Sequence, residues 1–239
     1  MIVKAIRTRI FLEGENLVRF ITKYVPKLPD RSILVVTSKI VALAEKRTAK
    51  YEGRAAKEKL IRAESEWAIR TKYVFATLKD GALVASAGID ESNANGKLIM
   101  LPKDSMRTAQ YLRRRLMKAH RLNKLGILIT DSRVAPLRTG VLGIAMGYAG
   151  FGALRDYRGT KDIFGRKLKY TQTNVADGLA TAATLVMGEG KEQTPIAVIK
   201  NAPVQFKNKV MKHELRIDVR DDMYGPLFKS FPTRAGRKS

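Results

Sequence analysis

Apolar residues along this chain come in two rhythms. Short aliphatic runs at Ile33–Thr37, Leu125–Thr130 and Pro195–Ile199 predict strands, the first two buried, and Val141–Met146 is a further apolar run. Tyr73–Leu78 and Ala82–Ala85 flank Asp80-Gly81, which predicts a tight hairpin. Elsewhere the spacing is helical. Ser38 is expected to cap a helix through Ile40–Ala44, with Lys39 in its first turn, and residues 55–69 predict a second helix around Leu60, Ile61, Ala63, Trp67 and Ala68. From 103 to 124, Met106, Ala109, Leu112, Leu116 and Ala119 form one apolar face, with Asp104 or Ser105 as the cap. A further helix spans 174–187 through Val175, Leu179, Ala182, Ala183 and Val186. It has Asp177 early and a glycine stop at Gly188-Glu189-Gly190. Glycines 143, 147, 150 and 152 predict close backbone packing. Helices and strands mix without regular alternation, so the expected class is α+β, with mixed sheets and flanking helices. The expected organisation is a folded region over 1–225, as one domain or two subdomains, and a basic tail over 226–239.

Charge changes the picture more than size does. The 239 residues carry 46 Lys plus Arg against 22 Asp plus Glu, a net charge of +24 that attracts anions of every kind. The 45% hydrophobic content excludes a disordered chain. The positive charge peaks in the 103–124 helix, where Asp104 is the single acid; its arginines read either as a solvated face or as a nucleic-acid contact face. The absence of cysteine excludes disulfides, thiolate metal sites and cysteine nucleophiles, and two histidines leave little room for a histidine-rich centre. No apolar stretch is long enough to span a bilayer and no secretory leader is recognisable, so the expectation is a cytoplasmic protein without a membrane partner.

The usual phosphate-binding signatures are missing: no Gly-x-x-x-x-Gly-Lys-Ser/Thr and no Gly-x-Gly-x-x-Gly opens a helix. The scarce acids say more. Asp90 lies in a polar turn, Asp131 ends an apolar strand and precedes the Ser132 hydroxyl, and Glu189 sits between glycines at a helix end. Each reads alone as an ordinary turn or cap acid. Together they suit a hard cation that takes oxygen ligands. The charged stretch 155–166, with Arg155, Arg158 and Arg166, reads either as an ion-paired turn network or as a grip for carboxylate or phosphate.

Several strings then lose their anonymity. Ala87-Gly-Ile-Asp-Glu-Ser-Asn93, Ile129-Thr-Asp-Ser132, Leu137-Arg-Thr-Gly-Val-Leu-Gly-Ile-Ala-Met-Gly147, Asp156–Arg166 and Val186-Met-Gly-Glu189 closely resemble the coenzyme F-420:L-glutamate ligase family, in order, and Val35–Lys39 fits an earlier block. The resemblance implies a nucleotide-dependent γ-glutamyl ligase that uses GTP or ATP with Mg2+ or Mn2+. It also implies an intertwined homodimer acting on L-glutamate and an anionic acceptor. It places the metal ligands on Asp90, Asp131, Ser132 and Glu189, with Asp90 and Asp131 central to catalysis. Nucleotide contacts fall on Ser38, Lys39 and Asn93 and on a loop from Met187 through Gly188 and Gly190 to Thr194.

The pattern also departs from relatives that act on the deazaflavin. Arg133-Val-Ala-Pro136 replaces a Gly-Arg-Pro, Leu43 replaces a lysine, and Gly178 replaces a glutamate. In these respects the chain is similar to a divergent branch assigned to folate metabolism, so the expected acceptor is a deazaflavin or a folate-type carboxylate. The alternative from another class is a nucleic-acid-binding protein on a retained ligase fold.

Overall fold

The computed structural model describes residues 1–228. In chain order the elements are β1 (Ile2–Ile6), α1 (Leu17–Tyr24), β2 (Ser32–Thr37), α2 (Ser38–Ala44), β3 (Thr48–Lys50), α3 (Arg54–Ala63), β4 (Trp67–Arg70), β5 (Phe75–Lys79), β6 (Ala82–Ala85), β7 (Lys97–Ile99), α4 (Ser105–His120), β8 (Leu125–Val134), β9 (Val141–Ala149), β10 (Leu154–Asp156), β11 (Gln172–Asn174), α5 (Val175–Met187) and β12 (Ile196–Lys200). Mixed sheets with helices around them make the class α+β, as the pattern predicts. The chain divides into two compact units, Met1–Lys50 with Asp90–Glu214, and Tyr51–Ile89 with the segment from Leu215 onward.

The larger unit is built on a five-stranded sheet ordered β1-β12-β2-β8-β9, in which only β2 and β8 run parallel. On one face Leu34, Val36, Ile127, Ile129, Ile196 and Val198 pack with residues of α1, α2 and α4 in a single apolar cluster. The intervening Ile33, Val35, Leu128, Ala197 and Ile199 are also buried and point to the other face, the side covered by α5. Burial on both faces explains why the central strands read as continuous apolar runs rather than as alternating ones. Two small sheets, β3 with β7 and β10 with β11, complete this unit.

Helix α4 begins where its cap predicts. The Asp104 carboxylate accepts from Arg107 N–H at 2.9 Å and pairs with Lys212 at 3.0 Å. Burial works against ionisation there, but these bonds prevail and hold the Asp104 carboxyl below its usual value. Replacing Asp104 with Ala should cost about 1 kcal/mol of stability, measured by thermal denaturation at neutral pH. The cost should shrink as the pH falls through the lowered native value, because a protonated cap loses its charge-assisted bonds. Arg107, Arg114, Arg115, Lys118 and Arg121 project from the exposed side of α4.

The smaller unit contains α3 and the meander β4-β5-β6. Asp80 (φ 53°) and Gly81 (φ 76°) both adopt left-handed backbone at the β5–β6 turn, the conformation an Asp-Gly hairpin favours. The helix expected over 55–69 ends at Ala63, and Trp67–Arg70 forms a strand against Phe75–Leu78 instead. Tertiary pairing wins there because Trp67 and Ile69 suit a strand better than a helix. Of the expected 226–239 tail, residues 226–228 belong to a short 3-10 turn (Gly225–Phe228), and the remainder lies outside the described residues. Among the described residues no helix is long and apolar enough to cross a membrane.

Candidate active site

The parallel pairing of β2 and β8 creates the site. Their register ends with Thr37 beside Thr130, and at this carboxyl edge the chain after β2 turns into α2 at Ser38-Lys39 while Asp131-Ser132 runs on in β8 against β9. That edge is where open α/β sheets commonly place their ligands. Ser38 does not cap α2 as expected: Thr37 occupies the cap position without a side-chain cap bond, and Ser38 is the first helical residue. Its hydroxyl bonds to Asp131 instead.

Asp90 reaches the same place from a different segment. It pairs through its backbone with Ile99 (N–O distances of 3.0 and 2.9 Å), and Ile99 packs with Ala94 against Ala42 of α2. The Lys39 ammonium donates to Asp90 Oδ2 at 2.7 Å and to the Ser92 carbonyl at 2.9 Å. Ser92 also gives Asp90 its backbone N–H at 2.7 Å and its hydroxyl at 2.8 Å. Burial pushes the Asp90 carboxyl up, yet Lys39 and Ser92 together hold it below its usual value.

Asp131 behaves in the opposite way. Burial pushes its carboxyl up to about 6, outweighing the Ser132 N–H bond, the Lys39 charge and the Ser38 hydroxyl, while the Asp90 charge adds to the rise. Two carboxylates thus face one lysine. The adjacent Ser132 hydroxyl lies 3.3 Å from Glu189 Oε2, which brings in the loop after α5. Asn93 donates from Nδ2 to the Gly190 carbonyl at 3.2 Å, a second tie to that loop. The loop is closed on itself. The Thr194 hydroxyl donates to the Met187 carbonyl, Gly188 ends α5 with φ 79°, and Glu192 accepts from Gly190 N–H at 2.8 Å. Thr37 N–H donates to the Pro195 carbonyl at 3.0 Å and fastens the loop's far end to β2.

Asp90, Asp131, Ser132, Glu189, Ser38, Lys39, Asn93 and the 187–194 loop are therefore linked by charge or hydrogen bonds within one unit. Among the described residues no three or more Asp, Glu or His side chains are drawn together as a metal centre. The donor chemistry nevertheless fits hard cations, since every candidate ligand is oxygen and Asp131 and Asp90 share more negative charge than Lys39 offsets.

The arginines are placed differently. Arg155 donates to the Pro203 carbonyl at 2.5 Å, and Arg158 forks onto Asp156 at 2.6–3.0 Å, holding that carboxyl down at about 2. Asp162 accepts the backbone N–H groups of Phe164 and Arg166, each at 2.9 Å. Of the two readings of 155–166, the ion-paired turn network describes Arg158, while Arg155 is held by a backbone carbonyl. Arg166 has no ion-pair partner among the described residues. The sequence reading overlooked Ser92 and Glu192. The Asp-x-Ser spacing of Asp90 and Ser92 carried a signal, because such pairs bond two residues apart.

Comparison with known proteins gives the family. The F420-0:Gamma-glutamyl ligase family matches residues 5–201. A protein named coenzyme F420:L-glutamate ligase from Methanococcus maripaludis strain C7 is 34% identical over 222 residues, covering 85% of this chain and 88% of its own. Proteins of the same name from Methanocaldococcus jannaschii and Archaeoglobus fulgidus are 35% identical over 179 residues and 32% over 210, covering 75% and 80% of this chain and 71% and 84% of their own. The class that this likeness defines is an amide-bond-forming ligase. Within that class the chain belongs to the F420-0:Gamma-glutamyl ligase family.

Proposed function

We propose that this ligase joins the amine of L-glutamate to an acceptor carboxylate at the expense of ATP or GTP, with Mg2+ or Mn2+ as the metal. A carboxylate is a poor electrophile, so the acceptor must first be activated. The acceptor oxygen attacks the γ-phosphorus and the nucleoside diphosphate leaves; the glutamate nitrogen then attacks the acyl carbon, loses a proton and expels phosphate. Asp90, Asp131, Ser132 and Glu189 would hold the divalent cations, which when bound neutralise charge on the nucleotide phosphates.

The protein's own groups do the rest. Lys39 keeps Asp90 ionised and aimed and supplies a cation to the phosphates. Ser38 and Ser132 N–H orient the Asp131 carboxylate. Asn93 and the Met187–Thr194 loop, with Gly188 and Gly190 allowing close approach, would enclose the nucleotide. Arg166 is the remaining candidate to grip an anionic substrate group, since Arg155 and Arg158 are occupied. The acceptor we favour is the deazaflavin precursor that the relatives' name implies for them; a folate-type carboxylate is the second candidate, motivated by Arg133-Val-Ala-Pro136. The working form is proposed to be a homodimer.

The observation that carries this reading is the meeting of Lys39, Asp90 and Asp131 at the end of the parallel β2–β8 pair. Incubating the protein with labelled glutamate, ATP or GTP, Mg2+ or Mn2+ and each acceptor tests it. Label should enter one acceptor with matching release of nucleoside diphosphate, and chelation should stop both. No diphosphate release with either nucleotide and either acceptor would overturn the reading.

A further inference from the structure

Strands β8 and β9 pair antiparallel, but their register breaks between Ile129 and Thr130: Ile129 faces Gly147 while Thr130 faces Ala145, so Met146 is an extra residue on β9. Immediately beyond this bulge lie Asp131 and Ser132, paired with Ile144 and Gly143. The Ala145 N–H does not serve the ladder there. It donates to Oδ1 of Asp177 at 2.8 Å, in the first turn of α5.

Asp177 is itself fixed. Asn174, the cap of α5, accepts the Asp177 N–H at 3.0 Å and donates from Nδ2 to Asp177 Oδ2 at 2.8 Å, and Arg133 lies 3.7 Å from the same oxygen. One turn on, the Thr181 hydroxyl donates to the Gly143 carbonyl at 2.9 Å. Helix α5 therefore holds β9 at two points opposite Thr130–Ser132. The stakes are set by strand geometry, because a slip of one residue turns every following side chain to the other face. Such a slip would turn over the 141–145 stretch of β9, the strand that pairs with Asp131 and Ser132 once the β2 register has ended at Thr130.

An acid early in a helix is ordinarily read as complementing the helix dipole. Both oxygens of Asp177 are instead committed to specific partners, one of them on a different element. We infer that Asp177 is a positioning residue for the ligase: by accepting the Ala145 N–H it locks the β-bulge and so steadies the stretch of β9 that pairs with Asp131 and Ser132. The catalytic half of this inference rests on the proposed function, whereas the structural half does not.

The test uses the full chain, with two readouts on the wild type, Asp177→Ala and Asp177→Asn. Amide exchange read by NMR should show Ala145 N–H opening at least about 10-fold faster in Asp177→Ala, with Ile127 and Ile129 unchanged. Ligation kcat should fall about 10- to 100-fold, as for other residues that orient a ligand, with KM for glutamate within about 2-fold. Asp177→Asn keeps the acceptor oxygen and should restore both readouts to within a few-fold of the wild type. The inference is overturned if Asp177→Ala leaves Ala145 exchange unchanged, if exchange quickens while kcat holds, or if Asp177→Asn is as impaired as Asp177→Ala. Should Asp177→Ala fail to fold, Thr181→Val takes its place: it should quicken Ala145 exchange and lower kcat in the same direction by a smaller factor, and an unchanged pair overturns the inference. A wild type that ligates nothing overturns the proposed function instead, and the exchange readout still decides whether Asp177 holds the bulge.

Discussion

Replacing Asp131 with Asn should make the metal-free protein more stable at pH 7 while removing its activity. Burial, with the Asp90 charge added, holds the Asp131 carboxyl near 6 in the folded protein, against 3.8 as its ordinary value. The native state therefore binds that proton more tightly than the unfolded chain does. Above about pH 6 the carboxylate is ionised in both states and its desolvation opposes folding by roughly 1–3 kcal/mol. As the pH falls from 6 towards 4 the native protein takes up the proton and the penalty disappears. Asn has the same shape and no charge to desolvate. Thermal denaturation in EDTA should show Asp131→Asn melting above the wild type at pH 7, with the two curves converging near pH 4. Equal melting temperatures at pH 7 would mean that Lys39 and Ser38 already compensate the charge. Ligation by the variant should fall by more than about 100-fold, beyond what losing an orienting residue costs, and activity near the wild-type level would remove Asp131 from the site. Stability gained where activity is lost marks a residue kept for function rather than for folding.

Much of the arrangement that makes Asp131 costly was legible in the amino-acid order. The aliphatic runs at 33–37 and 125–130 predicted buried strands, Asp80-Gly81 predicted the hairpin, and Asp104 predicted the start of α4. Each is a local signal, set by side-chain periodicity, left-handed turn residues or a cap. The scarcity of acids singled out Asp90, Asp131 and Glu189 before any contact was known. What periodicity cannot carry is which strands pair. That β2 and β8 lie parallel, in a register that delivers Ser38 beside Asp131, is a long-range fact. For the same reason Ser38 read as a cap: its preference for helix starts is local, and its bond to Asp131 is not. The 155–166 arginines show the converse. Their density was visible, but Arg158 is neutralised by Asp156, two positions away, and Arg155 is tied up by a hydrogen bond to the Pro203 carbonyl, which lies 48 positions away. The bulge at Met146 left no trace in composition at all.

That bulge also explains why two glycines four positions apart are needed for different neighbours, and it underlies the largest stability loss expected. Gly147→Ala should destabilise the protein by about 3 kcal/mol, the upper end for overpacking a closed site. A Cβ at 147 would strike the Ser105 carbonyl and lie 2.7 Å from Met106 N, both backbone atoms in the first turn of α4. Neither can rotate away as a side chain would, so β9 or the capped end of α4 must move. For a chain of this size the melting temperature should drop by about 6–12 °C. Gly152→Ala is the control, since its nearest neighbour is the flexible Lys207 side chain at 3.4 Å; it should melt within about 2 °C of the wild type. A Gly147→Ala variant as stable as the control would show that α4 does not press on β9 there. In a regular strand, residues 143 and 147 would point to the same face. Here a Cβ at 143 would meet the Ala180 carbonyl of α5 at 2.5 Å, whereas one at 147 meets α4. Inserting Met146 turns the strand over between them, so α4 and α5 each approach the backbone of β9 from their own side. The turned-over stretch of β9 is the one that pairs with Asp131 and Ser132. Crowding at Gly147 should therefore lower ligation as well as stability, by disturbing the strand that sets those two side chains.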